Sequence, residues 1–235
     1  MKDTIIVTGG TKGIGRAIIN LFVDKGFEVV TCARSKADLE LLRERIALEH
    51  NGARIHVMDC DLSQKKEIDS FVSYCQSHAA NLKILVNNAG MFIPGQIHSE
   101  PEGTYEKIMA TNVTSVYHIS RGLINNLIAN QGHLFNICST ASIVPYVNGG
   151  SYCISKYALL AMTRILREEM KDKHVRVTAV LPGATYTSSW EGTGHSEDRF
   201  IKPADVAHAI WASYAVSPQT VIEELLIRPQ LGDIE

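Results

Sequence analysis

The chain has 235 residues, 45% of them hydrophobic and 20% charged, with 23 Lys and Arg against 25 Asp and Glu for a formal charge of −2. That balance excludes a fibre, a disordered tail and a multi-span membrane protein, and a near-neutral chain has no general electrostatic reason to seek nucleic acid or an anionic membrane. The chain opens Met1-Lys2-Asp3-Thr4 and runs straight into Ile5-Ile6-Val7. With no leader-like stretch and no apolar run approaching the ~18 residues of a membrane span, a cytoplasmic protein is expected.

In chain order, short β-branched runs alternate with longer helical patterns. A strand over Thr4–Thr8 precedes a helix over about Gly15–Lys25, and Glu28–Ala33 precedes Lys36–Glu49. Arg54–Met58 then precedes Lys65–His78, Lys83–Asn87 precedes Thr104–Ala129, and His133–Cys138 precedes Tyr152–Lys171. Arg176–Leu181, a helix over Pro203–Ser213 and a last strand over Val221–Arg228 complete the pattern. Most of the strand runs lack polar alternation, as strands covered on both faces do. The expected fold is a doubly wound, Rossmann-type α/β domain over residues 1–235, with a mostly parallel seven-stranded sheet and helices on both faces. Ligands of such sheets bind beyond the carboxyl ends of the strands. The five cysteines, Cys32, Cys60, Cys75, Cys138 and Cys153, form no C-x-x-C. Together with histidines that lack metal-ligand spacing, they predict free, buried thiols and no metal.

Directly after the first strand the chain reads Thr8-Gly9-Gly10-Thr11-Lys12-Gly13-Ile14-Gly15. Glycines permit a tight turn and a close approach of backbone N–H groups to a pyrophosphate, and the following helix N-terminus favours an anion. The spacing is Gly-x-x-x-Gly-x-Gly. At the end of the second strand, where an acid commonly meets a ribose hydroxyl, the chain has Ala33-Arg34-Ser35 and no carboxylate. Arg34 suits a 2′-phosphate and Lys12 adds a second positive charge, so NADP(H) is the expected cofactor.

These motifs closely resemble the single-domain branch of the short-chain dehydrogenases/reductases, over essentially the whole chain. Gly9, Thr11, Lys12, Gly13, Ile14 and Gly15 match the family's cofactor turn, with Arg34 and Ser35 after the second strand and Asp61-Leu62 as its adenine contact. Asn87-Asn88-Ala89-Gly90 matches its strand-end signature, of which Asn88, Ala89 and Gly90 are expected at the cofactor. Pro182, Gly183, Thr185 and Thr187 resemble the segment that holds the nicotinamide. Asn112, Ser139, Tyr152 and Lys156 match the catalytic residues. The resemblance further implies that Tyr152 and Lys156 also contact the cofactor, Lys156 at the nicotinamide ribose, that Asn112 holds a water linking Lys156 to solvent, and that copies of the chain pair into a homodimer or homotetramer through the long helices.

The chemistry reads consistently beside the resemblance. Tyr152 and Lys156 are four residues apart and share one face of a helix. A nearby ammonium favours a phenolate, so Tyr152 is placed to exchange a proton with a substrate oxygen. Ser139, at the mouth of the fifth strand, is placed to hydrogen-bond and polarise the same oxygen.

The long polar segment from Tyr186 to Ile201, with Ser188, Ser189, Trp190, Gly192 and Gly194, is a candidate lid. Met91 and Tyr146 are further pocket candidates. The Pro182–Thr187 segment, Trp190 and the ending from Val221 to Glu235 resemble the sepiapterin-reductase-like bacterial carbonyl reductases, which points toward a polar dicarbonyl substrate, heteroaromatic ones included. The expected activity is therefore NADPH-dependent reduction of a small-molecule ketone or dicarbonyl to an alcohol. The alternatives are a 3-oxoacyl thioester (acyl-carrier-protein) reductase, and a catalytically silent NADP(H)-sensing module, against which the intact residue set argues. A nucleotide-sugar epimerase usually needs a further substrate domain, for which 235 residues leave no room.

Overall fold

The computed structural model describes residues 2–50, 52–187 and 194–233. Its elements in chain order are β1 (Thr4–Thr8), α1 (Gly13–Asp24), β2 (Glu28–Ala33), α2 (Lys36–Glu49), β3 (Ile55–Asp59) and α3 (Lys65–His78). They continue with β4 (Leu82–Asn87), α4 (Thr104–Met109), α5 (Ser115–Asn130), β5 (His133–Ile137), α6 (Gly150–Met170), β6 (Arg176–Pro182), α7 (Pro203–Ala215) and β7 (Glu224–Ile227). The seven strands form one sheet in the order β3-β2-β1-β4-β5-β6-β7, and every pairing is parallel. Strand order reverses between β1 and β4, so a crevice opens there at the carboxyl edge.

The strands are covered on both faces because their alternate residues feed two cores. Ile5, Val7, Val29, Ile84 and Val86 pack with Ile18 and Phe22 of α1, Leu42 of α2 and Val206 and Ile210 of α7. Ile6, Val30, Leu85 and Leu134 pack on the other face with Ile68 and Phe71 of α3 and Ile119 and Leu123 of α5. Leu159 and Leu160 of α6 extend that second layer against Val116, Ala179 and Leu181. Each helix thus buries one apolar stripe, and no helix among the described residues is long and apolar enough to cross a membrane.

Most elements lie within two residues of their expected bounds, and two differ by more. The single helix expected over Thr104–Ala129 is α4 and α5 joined by a π-helical turn, Ala110–Thr114. The physical reason is Asn112, whose side chain bonds across to another segment and whose backbone takes one extra residue into the turn; such π-turns concentrate at functional sites. The last strand is shorter than Val221–Arg228. Ile222 is held by the Thr178 hydroxyl (2.6 Å) outside the regular ladder, and Pro229, which lacks an N–H, follows its end.

His133 opens β5 fully buried, its ring stacked on Phe135 at 3.9 Å between centroids. Its Nε2 lies 2.7 Å from the Thr178 hydroxyl. That hydroxyl already donates to Ile222, so Nε2 is the protonated nitrogen. Nδ1 is buried without a partner, and burial, reinforced by Arg176, pushes the imidazole well below its ordinary pKa. The folded state therefore keeps His133 neutral, whereas the unfolded chain binds a proton below about pH 6.5. This contribution to stability is intact above that pH and is lost as pH falls, with a slope approaching about 1.4 kcal/mol per pH unit. Urea unfolding of His133→Leu between pH 7 and 5 is expected to show a shallower pH dependence than the parent; parallel curves would refute the assignment.

Candidate active site

The crevice at the strand reversal is held open by side chains from its two walls. The Thr8 hydroxyl, at the end of β1, accepts the backbone N–H groups of Asn88 and Ala89, each at 3.0 Å. In return the Asn88 amide donates to the carbonyls of Thr8 (2.9 Å) and Gly9 (3.1 Å). Asn88 thus shapes the glycine turn from behind, and Ala89 and Gly90 line the exit of β4.

The turn needs its glycines for steric reasons. Gly9 has φ +70 and Gly13 φ +54. A Cβ on Gly15 would overlap the Gly9 carbonyl and the Asn88 amide, and one on Gly9 would lie 3.1 Å from the Ala89 Cα. Gly10, which the motif reading did not single out, is needed for packing: its Cβ would strike Ile19 and Thr31. Thr11, Lys12 and Ile14 complete the turn. Thr187 lies over it, with its methyl 3.0 Å from where a Gly13 Cβ would be, so the segment after β6 reaches the α1 N-terminus.

Beyond β2, Arg34 is exposed and Ser35 caps α2 by accepting the Asp38 N–H at 3.2 Å. Lys12 pairs with Asp38 at 3.2 Å, bringing the two expected cationic positions to the same end of the sheet. After β3, the Asp61 carboxylate accepts the Ser63 N–H at 2.9 Å. That bond holds it below the usual carboxylate range, with Arg34 and Lys107 adding to the effect. Leu62 is buried beside it.

Pro182 ends β6, and the Gly183 N–H bonds to Ile227 at 2.8 Å. A Gly183 Cβ would press on Pro229 (3.2 Å) and Asp233 (3.1 Å), so the chain's last described turn packs directly on this segment. Thr185 bonds back to the Gly183 carbonyl at 3.0 Å. Arg199 ties the tail down through the carbonyls of Gly232 and Asp233, both at 2.9 Å. Ser188, Ser189, Trp190 and Gly192 lie outside the described residues.

The four expected catalytic residues hang from β5, α6 and the π-turn. Tyr152 and Lys156 share a face of α6, with the Lys156 ammonium 5.7 Å from the phenol ring centroid. Lys156 is buried and donates to the Ile137 carbonyl at 2.8 Å, the last residue of β5. Two residues on, the Ser139 hydroxyl oxygen accepts the Ala141 N–H at 3.1 Å, which leaves its proton available to donate. Asn112 is buried. Its amide donates to the Met91 carbonyl and the Ser155 hydroxyl, both at 3.0 Å, and its carbonyl oxygen accepts the Met91 N–H at 2.8 Å. Gly90 sits against both Asn112 and Lys156: a Cβ there would be 3.4 Å from the amide oxygen and 3.7 Å from the ammonium.

Phe92 packs edge-on against Tyr152 at 5.0 Å between centroids. It was not among the expected pocket residues, and its place after Met91 was the only sequence signal for it. Tyr146 is half-exposed; burial pushes its phenol above the ordinary range, and its neighbours Tyr152 and Cys153 add to the shift. All five cysteines are free and buried.

Comparison with known proteins agrees with this architecture. The family model for short chain dehydrogenases matches residues 3–198. The chain is 31% identical over its whole length to a sepiapterin reductase from Chlorobaculum tepidum, covering 99% of that protein. It also superposes on a metagenomic short-chain oxidoreductase in complex with NADP at a TM-score of 0.84, with 28% identity and 97% of each chain covered. An alcohol dehydrogenase from Thermococcus sibiricus shares the fold at a TM-score of 0.90, with 23% identity and 99% of each chain covered. The protein belongs to the short-chain dehydrogenase/reductase family of oxidoreductases.

Proposed function

We propose that the protein reduces a small-molecule ketone or dicarbonyl to an alcohol at the expense of NADPH. The observation that carries this reading is the joint placement of Tyr152, Lys156 and Ser139 at the carboxyl edge, beside a glycine turn that folds tightly against Asn88 and Ala89 at the N-terminus of α1. The likeness to an NADP-bound oxidoreductase and to a sepiapterin reductase supports it.

The dinucleotide fits the residues present. Gly9, Gly13 and Gly15 let the turn pack tightly against Ala89, Thr187 and Asn88, and it leads into the N-terminus of α1, an end that favours an anion. Asp61 and Leu62 would hold the adenine, and Ala89 and Gly90 would line the middle of the crevice. Lys12 and Arg34 suit a 2′-phosphate, and Ser35 adds a hydroxyl. Pro182, Gly183, Thr185 and Thr187 would hold the nicotinamide. When bound, NADPH supplies hydride to the carbonyl carbon. Tyr152 then gives its phenolic proton to the carbonyl oxygen, while Ser139 donates a hydrogen bond that stabilises the developing charge. Lys156, fixed by the Ile137 carbonyl, lends positive charge beside the phenol and a donor to the ribose. Asn112 holds Met91 and the first turns of α6 together, and its π-turn is where a water would connect Lys156 to solvent.

A second copy of the chain completes the reading. The groove between α5 and α6, of about 570 Å³, is lined by Tyr117, Arg121, Ile124, Met162 and Ile165. Tyr117 and Ile165 are 49% and 58% exposed, an apolar strip that a two-fold contact buries on both copies at once. Buried free thiols fit a reducing, cytoplasmic setting.

Turnover of diketones, sepiapterin and acetoacetyl thioesters, followed by loss of reduced-nicotinamide absorbance, identifies the substrate class; consumption of none of them despite tight NADPH binding would refute the enzymatic reading. Tyr152→Phe is expected to bind NADPH normally and to lose at least ~100-fold in rate. Arg34→Ala is expected to weaken NADPH about tenfold, as for a lost hydrogen bond to a charged group, and to leave NADH nearly unchanged. Ile165→Asp is expected to sediment as a monomer where the parent sediments as a dimer or tetramer.

A further inference from the structure

Glu100 lies fifty-two residues before Tyr152 in sequence and against its helix in space. One carboxylate oxygen accepts the Ser151 N–H at 2.8 Å, and the other accepts the Ser151 hydroxyl. Ser151 is 2% exposed, the second residue of α6 and the immediate neighbour of Tyr152. A carboxylate at this place satisfies an N–H that the helix itself cannot, and it complements the positive end of the helix dipole.

The surroundings are cut to admit this carboxylate. A Cβ on Gly150 would overlap a Glu100 oxygen and one on Gly95 would lie 2.6 Å from its Cγ. Gly95 pairs with Gly149 in an isolated bridge, its N–H bonded to the Asn148 carbonyl at 3.0 Å. The Gln96 amide holds the Asn148 side chain at 3.0 Å. The segment after β4 and the segment before α6 are therefore joined around Glu100. The first carries Phe92, which touches the Tyr152 ring, and the second carries Tyr146. The Gly-Gly-Ser sequence before Tyr152 is explained by this arrangement, since two of its three residues meet the carboxylate directly.

We propose that Glu100 is a positioning residue for Tyr152: by capping the first turn of α6 and locking the two flanking segments, it sets where the phenol stands over the crevice. The proposal rests on the acid–base role given to Tyr152 above. It predicts a defect in the chemical step and not in cofactor binding, because the glycine turn and the Thr8–Asn88 contacts stand apart from Glu100.

The test compares Glu100→Ala, Glu100→Gln and Ser151→Ala with the parent, each assayed well below its own unfolding temperature. Glu100→Ala is expected to lower kcat about tenfold, to leave the NADPH Kd from fluorescence titration within twofold, and to speed hydrogen exchange of the Ser151 amide. Glu100→Gln, which keeps an acceptor oxygen, is expected to recover kcat to within about threefold of the parent. Ser151→Ala removes one of the two bonds and is expected to lose about threefold in kcat, which keeps the question answerable should Glu100→Ala not fold. An unchanged kcat in Ser151→Ala and in Glu100→Ala, with only a lower Tm, overturns the proposal, as does a parallel loss of kcat and NADPH affinity. Tyr152→Phe measured alongside separates the two ideas: if it kept its rate the acid–base reading would fall, whatever the Glu100 variants do.

Discussion

The molecule depends on keeping a gap between two neighbouring parallel strands. β1 and β4 are hydrogen-bonded along their length, yet their ends must part so that a ligand can enter. The reciprocal contacts between Thr8 and the residues after β4 achieve this. They satisfy backbone groups that the ladder no longer serves, and an orphaned buried N–H costs about 1–3 kcal/mol. The glycine turn, the Asn88 side chain and the first residues of α1 are then fixed relative to one another before any ligand arrives. The same logic recurs at β5, where the carbonyl of Ile137, the last residue of the strand, is taken up by Lys156.

Most of this was legible along the chain. The apolar β-branched runs named the strands, because burial on both faces removes the need for polar alternation. The glycine turn and the Tyr-x-x-x-Lys pair were legible because they are local: their spacing alone decides which atoms face one another. Gly10, which lies outside the Gly-x-x-x-Gly-x-Gly spacing, answers to helix–strand packing.

What the chain did not reveal depends on distant partners. Glu100 and Ser151 are fifty-one positions apart, and no periodicity links them. Asn112 was visible as a residue, but the π-turn that accommodates it follows from contacts with Met91 and Ser155. Phe92 is one apolar residue among several in a segment without regular structure, and only the packing of α6 brings it against Tyr152. The shortened β7 reflects a hydroxyl of the neighbouring strand claiming Ile222.

His133 sits at the start of β5, and Ser139 lies just past that strand's other end. One rim of the sheet therefore carries the groups proposed to react, and the opposite rim carries a buried imidazole that contributes to how acid affects stability. The length of β5 separates the two, so a change in the packing of the buried imidazole and a change at the crevice act at opposite ends of one strand. The two properties are free to evolve on separate schedules within a single sheet.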